Sequence, residues 1–360
     1  MNHFIPLVKP FLPPIEEYTE LLNKIWKNGI LSNRGPCHEE FKRLVKDYLA
    51  VKYVYPYVNG TTSLEIAIKT LGIKGKEIIT TPFTFVATIL AILNTDNIPI
   101  FVDTHENGNI NEELIEEKIS ENTAAILPVH VYGEPVKVLK IETLARKHSL
   151  FTIYDAAHAF GVKIDNIGIG NFGDISIFSS HATKVFHTIE GGFMTYNNPE
   201  LDRIAHLSCN FGLAENYDLV YQGSNGKMNE FQAAMGILQL KYLNENIEKR
   251  KYICELYKNG LPEDIVHTKF NTMNVEYNYP YFIIKHKLRD KIHDELLRRG
   301  ITTRKYFYPI ANEYTLLKHL NGNYPVAKSL SEQVLAIPLY ADLDKKSISK
   351  IISEIYKIIR

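Results

Sequence analysis

The 360-residue sequence predicts an α/β protein: a large domain on a mixed, mostly parallel sheet, then a smaller α+β C-terminal domain. Three observations carry this reading. Short apolar runs alternate with helical patterns from residue 53 to residue 178. A long helical stretch, 229–258, runs into the charged segment NENIEKRKY. Beyond it the pattern changes to strand, helix and a last amphipathic helix. Apolar strands separated by helices need crossover connections, and those connections make strands parallel.

Taken in order, residues 15–50 read as two amphipathic helices, IEEYTELLNKIWKNG and HEEFKRLVKDYLA, joined by the turn-rich ILSNRGP. The expected strands are 53–57, 77–80, 99–102, 124–129, 151–154 and 174–178. The expected helices between them are 62–71, 85–94, 111–119 and 138–148. After the long helix, YNYPYFIIKH reads as a strand, KLRDKIHDELLRRG as a helix and 344–359 as the final helix. The division between domains is placed near residue 245, giving 1–245 and 246–360. There are no internal repeats or low-complexity segments.

Composition narrows the function. Lys+Arg and Asp+Glu both number 41, so no basic excess favours nucleic acid and no polybasic run favours a membrane surface. Cys37, Cys209 and Cys254 are scattered without a CxxC pair, which fits a reducing cytoplasm and offers no disulfide or zinc framework. The opening MNHFIPLVKPFLPP lacks the continuous apolar core of a signal peptide. The longest apolar run, Phe85 to Leu93, is about half of what a membrane span needs.

Three segments could carry chemistry. In NGTTSLEIAIKTLG (59–72), an Asn-Gly turn opens an apolar-periodic helix, with Thr61 or Thr62 able to cap it. Free amides at a helix start bind anions, phosphate above all, although an ordinary capped helix reads the same way. In IYDAAHAFG (153–161), Asp155 ends an apolar strand, at the edge where open α/β sheets bind ligands. Buried there, it needs a cationic partner; as a plain helix cap it needs none. His158 follows three residues on. In FSSHATKVFHTIEGG (178–192), Lys184 sits in unusually apolar company, and burial lowers an amine's pKa and makes it a nucleophile. Ser179 offers a hydroxyl, and Glu190-Gly191-Gly192 permits close backbone approach. Two weaker signals are Phe85 in TTPFTFVAT, placed to stack on a planar ligand or to join the core, and Asn225 in GSNGKMNEFQAA, a phosphate donor or a turn former. A phosphate nest, a buried carboxylate and a reactive amine are together the three handles of pyridoxal 5′-phosphate.

The order NGT, TPFTFVAT, PVHVYGEP, YDAAHAFG, FSSHATKVFHTIEGG, NGKMNEFQAA resembles the DegT/DnrJ/EryC1/StrS family of sugar aminotransferases over essentially the whole chain. The resemblance implies a fold-type I aminotransferase that works as a homodimer with shared active sites. It also implies amination of a nucleotide-linked keto sugar with L-glutamate as donor, for cell-surface glycans. By position, Lys184 becomes the Schiff-base lysine and Asp155 the partner of the pyridine nitrogen. Phe85 stacks on the ring, Gly60, Thr61 and Ser179 hold the phosphate, and Asn225 arrives from the other subunit. Three departures stand out. His158 replaces a common Gln near the 3′-oxygen, as in members acting on dTDP-linked 6-deoxyhexoses. Ser180 replaces a common Phe. Lys227 replaces a common Arg and can meet a phosphate without bidentate geometry. Arg304 and Tyr306, in GITTRKYFYPI, are expected to touch the nucleotide sugar. On similarity a dTDP-3-keto-6-deoxyhexose is favoured, with the 4-keto sugar as the alternative. A sugar 3-dehydratase, which has His in place of the lysine, and a non-catalytic cofactor-binding relative are the other readings; the intact Lys184 argues against both.

Overall fold

The computed structural model describes residues 4–360. Two helices, α1 (Ile15–Asn28) and α2 (Pro36–Leu49), precede the sheet. Helix α1 stops where Gly29 turns to φ 71°, a conformation that glycine adopts without steric cost. Seven strands form the main sheet: β1 (Tyr53–Tyr57), β2 (Glu77–Thr80), β3 (Ile98–Phe101), β4 (Thr123–Ile126), β5 (Phe151–Asp155), β8 (Ile175–Ser179) and β9 (Gly192–Tyr196). A small ribbon of β6 (Lys163–Ile164), β7 (Ile167–Gly168) and the later β10 (Val275–Glu276) lies outside it. The spatial order is β1-β9-β8-β5-β4-β2-β3. The five strands from β8 to β3 are parallel, and β9 runs antiparallel to both its neighbours.

Helices α3 (Gly60–Thr70), α4 (Val86–Asn94), α5 (Val138–Lys147) and α6 (Glu200–Cys209) complete this unit. Two apolar clusters flank the sheet, one around Phe41, Phe178, Phe186 and Phe193 and the other around Ile68, Ile78, Ile92 and Ile177. The middle strands are therefore buried on both faces, which is why they read as continuous apolar runs. Helix α7 (Glu230–Gly260) opens on a capping box between Asn229 and Gln232. Its Glu230 carboxylate also accepts the Cys37 and His38 amides, at 2.7 and 2.9 Å, and so caps α2 from outside. The C-terminal elements are β11 (Phe282–Lys285), α8 (Arg289–Arg298), α9 (Pro325–Gln333), β12 (Val334–Ile337, antiparallel to β11) and α10 (Lys345–Ile359). Among the described residues no helix is long and apolar enough to cross a membrane.

The six expected strands and most of the expected helices are present, with edges shifted by a few residues. The segment 111–119 differs: it forms two short 3-10 turns, Glu112–Leu114 and Glu116–Lys118, instead of a helix. There the Glu112 carboxylate is tied to His105 at 2.7 Å and to Lys137 at 2.9 Å, and tertiary contacts override a modest helix propensity. Strands β9 and β12 and helices α6 and α9 are additions to the sequence reading. The division expected near residue 245 falls inside the unbroken α7. Ile5 pairs with Ile301 and is buried with Ile253, Phe282 and Leu335, so the start of the described chain packs on the C-terminal elements.

Two links tie those elements to the large sheet near the site described below. The Ala311 amide donates to the Pro82 carbonyl at 2.8 Å. Asp103, just beyond β3, caps α9 by accepting the Val326 and Ala327 amides at 3.0 and 2.9 Å. Removing a helix cap of this kind costs about 1 kcal/mol. Asp103→Ala is therefore expected to lower unfolding free energy by about 1 kcal/mol in a urea titration, while Asp103→Asn, which keeps an acceptor, loses less.

Candidate active site

The parallel strands end on one side of the sheet, and there the chain encloses a cavity of about 260 Å³. Its wall takes Gly60 and Thr61 from α3, Phe85 and Thr88 from the start of α4, and Asp155 and His158 from the end of β5. Ser179 ends β8, Lys184 lies in the following loop, and Arg304 and Tyr306 arrive from the segment before α9. Nine of the sequence-expected site residues thus share one cavity. Asn225 and Lys227 are the exceptions. In their own chain they lie outside it, with the Lys227 amine donating to the Asn225 side-chain oxygen at 2.8 Å and resting 4.7 Å from the Phe211 ring centroid.

The nest at the start of α3 is built by close approach. The cap is Asn59, whose side chain accepts the Thr62 amide at 2.7 Å, rather than Thr61 or Thr62 as expected. A helix beginning at Gly60 leaves the Gly60 and Thr61 amides in the first turn without an intrahelical acceptor. A Cβ on Gly60 would lie 2.8 Å from the Ser179 Cβ, and one on Gly192 would lie 2.6 Å from the Gly60 nitrogen. Glycine at both positions brings the two amides, the Ser179 hydroxyl and the helix dipole to one point, a ready anion site. Behind it the Ser180 hydroxyl bonds that of Thr188 at 2.7 Å; the small polar side chain at this departure from the family pattern is held in the core.

Asp155 is 5% exposed. Its Oδ2 accepts the Thr88 hydroxyl at 2.8 Å and its Oδ1 the Ala157 amide at 3.0 Å. Burial raises its pKa, while those two hydrogen bonds and the Lys184 charge oppose the rise. Lys184 is shifted the other way: burial lowers the amine, Tyr306 and Asp155 raise it, and Arg304 lowers it again. The buried His158 accepts the Tyr132 amide on Nδ1 at 3.3 Å, which leaves its proton on Nε2. Burial drives its pKa well down, so the ring is neutral. Phe85, at the N-cap of α4, is 48% exposed and lines the cavity, available for stacking. Arg304 lies over Tyr306, 4.6 Å from the ring centroid; Tyr281, with its hydroxyl pushed up to about 12 by burial, packs edge-on against Tyr306 at 5.2 Å.

Sequence reasoning missed Thr88, Tyr281 and the Asn59 cap. The signal for Thr88 lay in TPFTFVAT, where Thr84 and Thr88 stand one helical turn apart.

A family model for the DegT/DnrJ/EryC1/StrS aminotransferases matches residues 14–356. The chain belongs to that family. It is an aminotransferase, and the family depends on pyridoxal 5′-phosphate. The chain is 39% identical to dTDP-4-amino-4,6-dideoxy-D-glucose transaminase of Escherichia coli, over 96% of each chain. It is 26% identical to dTDP-3-amino-3,6-dideoxy-alpha-D-galactopyranose transaminase of Aneurinibacillus thermoaerophilus, over 94% of each. The crystal structure of DesI with its TDP-sugar product superposes with a TM-score of 0.93 at 26% identity, covering 99% of this chain and 93% of that one. The fold of these sugar aminotransferases is the fold of this chain.

The residues present fit the cofactor. The amide cradle suits a phosphate, and no cation lies within salt-bridge distance of the buried Asp155 among the described residues. A Val side chain at residue 60 would drive α3 away from Ser179. Gly60→Val is expected to weaken pyridoxal phosphate uptake by roughly tenfold or more, measured by absorbance titration of the apoprotein, with the fold retained by circular dichroism.

Proposed function

We propose that this aminotransferase transfers the amino group of L-glutamate to C-4 of a dTDP-linked 4-keto-6-deoxyhexose, as a homodimer. The observation that carries the reading is the convergence of Lys184, Asp155 and the Gly60–Thr61–Ser179 cradle on one cavity. The choice of a dTDP sugar and of C-4 is supported by the relatives. The E. coli enzyme above is 39% identical, and a Shigella dysenteriae enzyme of the same name is 36% identical over 99% of this chain. This weighs against the 3-keto sugar favoured on sequence resemblance. The 3-keto sugar remains the second reading, supported by the 26% identical 3-amino relative.

Each side chain has a task in this reading. Pyridoxal phosphate, when bound, supplies the electron sink and carries the amino group between donor and acceptor. The Gly60 and Thr61 amides and the Ser179 hydroxyl hold its phosphate. Asp155 holds positive charge on the ring nitrogen, and Phe85 covers one ring face. His158, neutral, offers Nε2–H to the ring's phenolic oxygen. Lys184 would hold the cofactor through its aldehyde carbon. Once freed by the amino donor, its Nζ would carry the proton from the donor's Cα to that carbon, and in the second half-reaction it would carry a proton from that carbon to the sugar carbon. Burial lowers the amine's pKa, so more of it is in the basic form at neutral pH. Arg304 and Tyr306 receive the nucleotide sugar, the guanidinium suiting the pyrophosphate. Asn225, exposed in its own chain, reaches the phosphate of the partner's cofactor, and Lys227 beside it meets the substrate phosphates.

Purified protein with pyridoxal phosphate and glutamate, offered dTDP-4-keto-6-deoxyglucose and a dTDP-3-keto-6-deoxyhexose separately, distinguishes the two readings. The expected outcome is a 4-amino product, identified by mass and NMR, with Lys184→Ala inactive on both sugars. Exclusive formation of a 3-amino product would transfer the assignment to the second reading. Substantial steady-state activity in Lys184→Ala would end both.

A further inference from the structure

Asp155 is buried in the cavity wall, and its carboxylate is not free to rotate. One oxygen is held by the Ala157 amide and the other by the Thr88 hydroxyl. Thr88 in turn lies 2.9 Å from the hydroxyl of Thr84. An ionised carboxylate only accepts, so Thr88 must donate to Asp155; its own proton is then committed, and Thr84 is the donor to Thr88. With Asp155 ionised, the chain therefore runs in one direction, Thr84 to Thr88 to Asp155. All three side chains are buried, Thr88 completely. Each carboxylate oxygen keeps acceptor capacity after its one internal bond. Thr88 stands in the first turn of α4, and Phe85 caps the same helix. One helical turn thus supplies both the exposed Phe85 at the cavity wall and the hydroxyl that holds Asp155.

We propose that Thr88, backed by Thr84, is a positioning residue that fixes Asp155 as the acceptor for a protonated ring nitrogen. The inference rests on the pyridoxal phosphate reading above. Burial alone favours a proton on Asp155, and a protonated carboxyl cannot hold a second proton on the ring. The Thr88 hydroxyl is the first of the opposing influences. Without it the carboxyl retains its own proton more readily, the ring nitrogen loses its counter-charge, and the cofactor is held less tightly.

The test compares apoprotein of wild type, Thr88→Val, Thr88→Ser and Thr84→Val, each reconstituted with pyridoxal phosphate carrying nitrogen-15 in the ring. The dissociation constant is read by absorbance and the protonation of the ring nitrogen by NMR. Thr88→Val is expected to bind about tenfold more weakly, with its nitrogen signal moved toward the unprotonated position. Thr88→Ser should stay within about threefold of wild type with the protonated signal, because the hydroxyl is what matters. Thr84→Val should shift in the same direction by less. Thr88→Ala takes the place of Thr88→Val if the latter does not fold. Wild-type affinity with a protonated ring in the variant lacking the hydroxyl would overturn the proposal. Equal losses in Thr88→Val and Thr88→Ser, pointing to packing of the methyl group, would overturn it too. Failure of the wild type itself to take up the cofactor would overturn the functional reading first, and this inference with it.

Discussion

The carboxylate of Asp155, buried at the end of a central parallel strand, is the constraint on which the site depends. A carboxylate removed from water without a cation is costly. Here two neutral donors, Thr88 and the Ala157 amide, offset only part of that cost, and its pKa stays raised. The remainder is a standing demand for positive charge at one point in the cavity. Lys184 meets the demand at a distance, without an ion pair within 4 Å among the described residues. A protonated pyridine meets it directly. The apoprotein therefore carries an electrostatic deficit that its cofactor is suited to remove.

The second constraint is steric. Helix α3 must start against the end of β8 and the start of β9 for its first amides to meet Ser179. Gly60 and Gly192 are the positions where any Cβ would separate these elements. The antiparallel β9, out of pattern with the parallel strands beside it, is what places Gly192 there. The C-terminal elements enter the site through Arg304 and Tyr306. Their position is set by the Asp103 cap on α9, the Ala311–Pro82 hydrogen bond, and a hydrogen bond from the Tyr132 hydroxyl to the Tyr306 carbonyl. One wall of the cavity is thus made by the sheet and the other by segments tied onto it.

Much of this was legible in the sequence. The parallel strands announced themselves because burial on both faces forces uninterrupted apolar runs. Lys184 stood out because its company is unusually apolar for a lysine, and Asp155 because it ends an apolar strand; Gly60 and Ser179 took their phosphate roles from the family resemblance. What stayed hidden depended on contacts distant in sequence. Strand β9 follows β8 through the helix-free loop 180–191, so the alternation that revealed the others was missing. The segment 111–119 carries helix-forming residues, yet the ties of Glu112 to His105 and Lys137 decide its shape. Thr88 looked like one more polar residue in an apolar helix until β5 brought Asp155 to it, 67 residues away in sequence. Asn225 was singled out by its loop and Lys227 by the family resemblance, and a single chain does not bring them to its own cavity.

We propose that this cavity sets one amine, Lys184, to bond the cofactor's aldehyde carbon. Pyridoxal phosphate added to the apoprotein, followed by borohydride reduction, proteolysis and mass spectrometry, tests it most directly. One reduced pyridoxyl group per chain is expected, on the peptide containing Lys184. Adducts spread over surface lysines, or concentrated on any lysine other than Lys184, would contradict it.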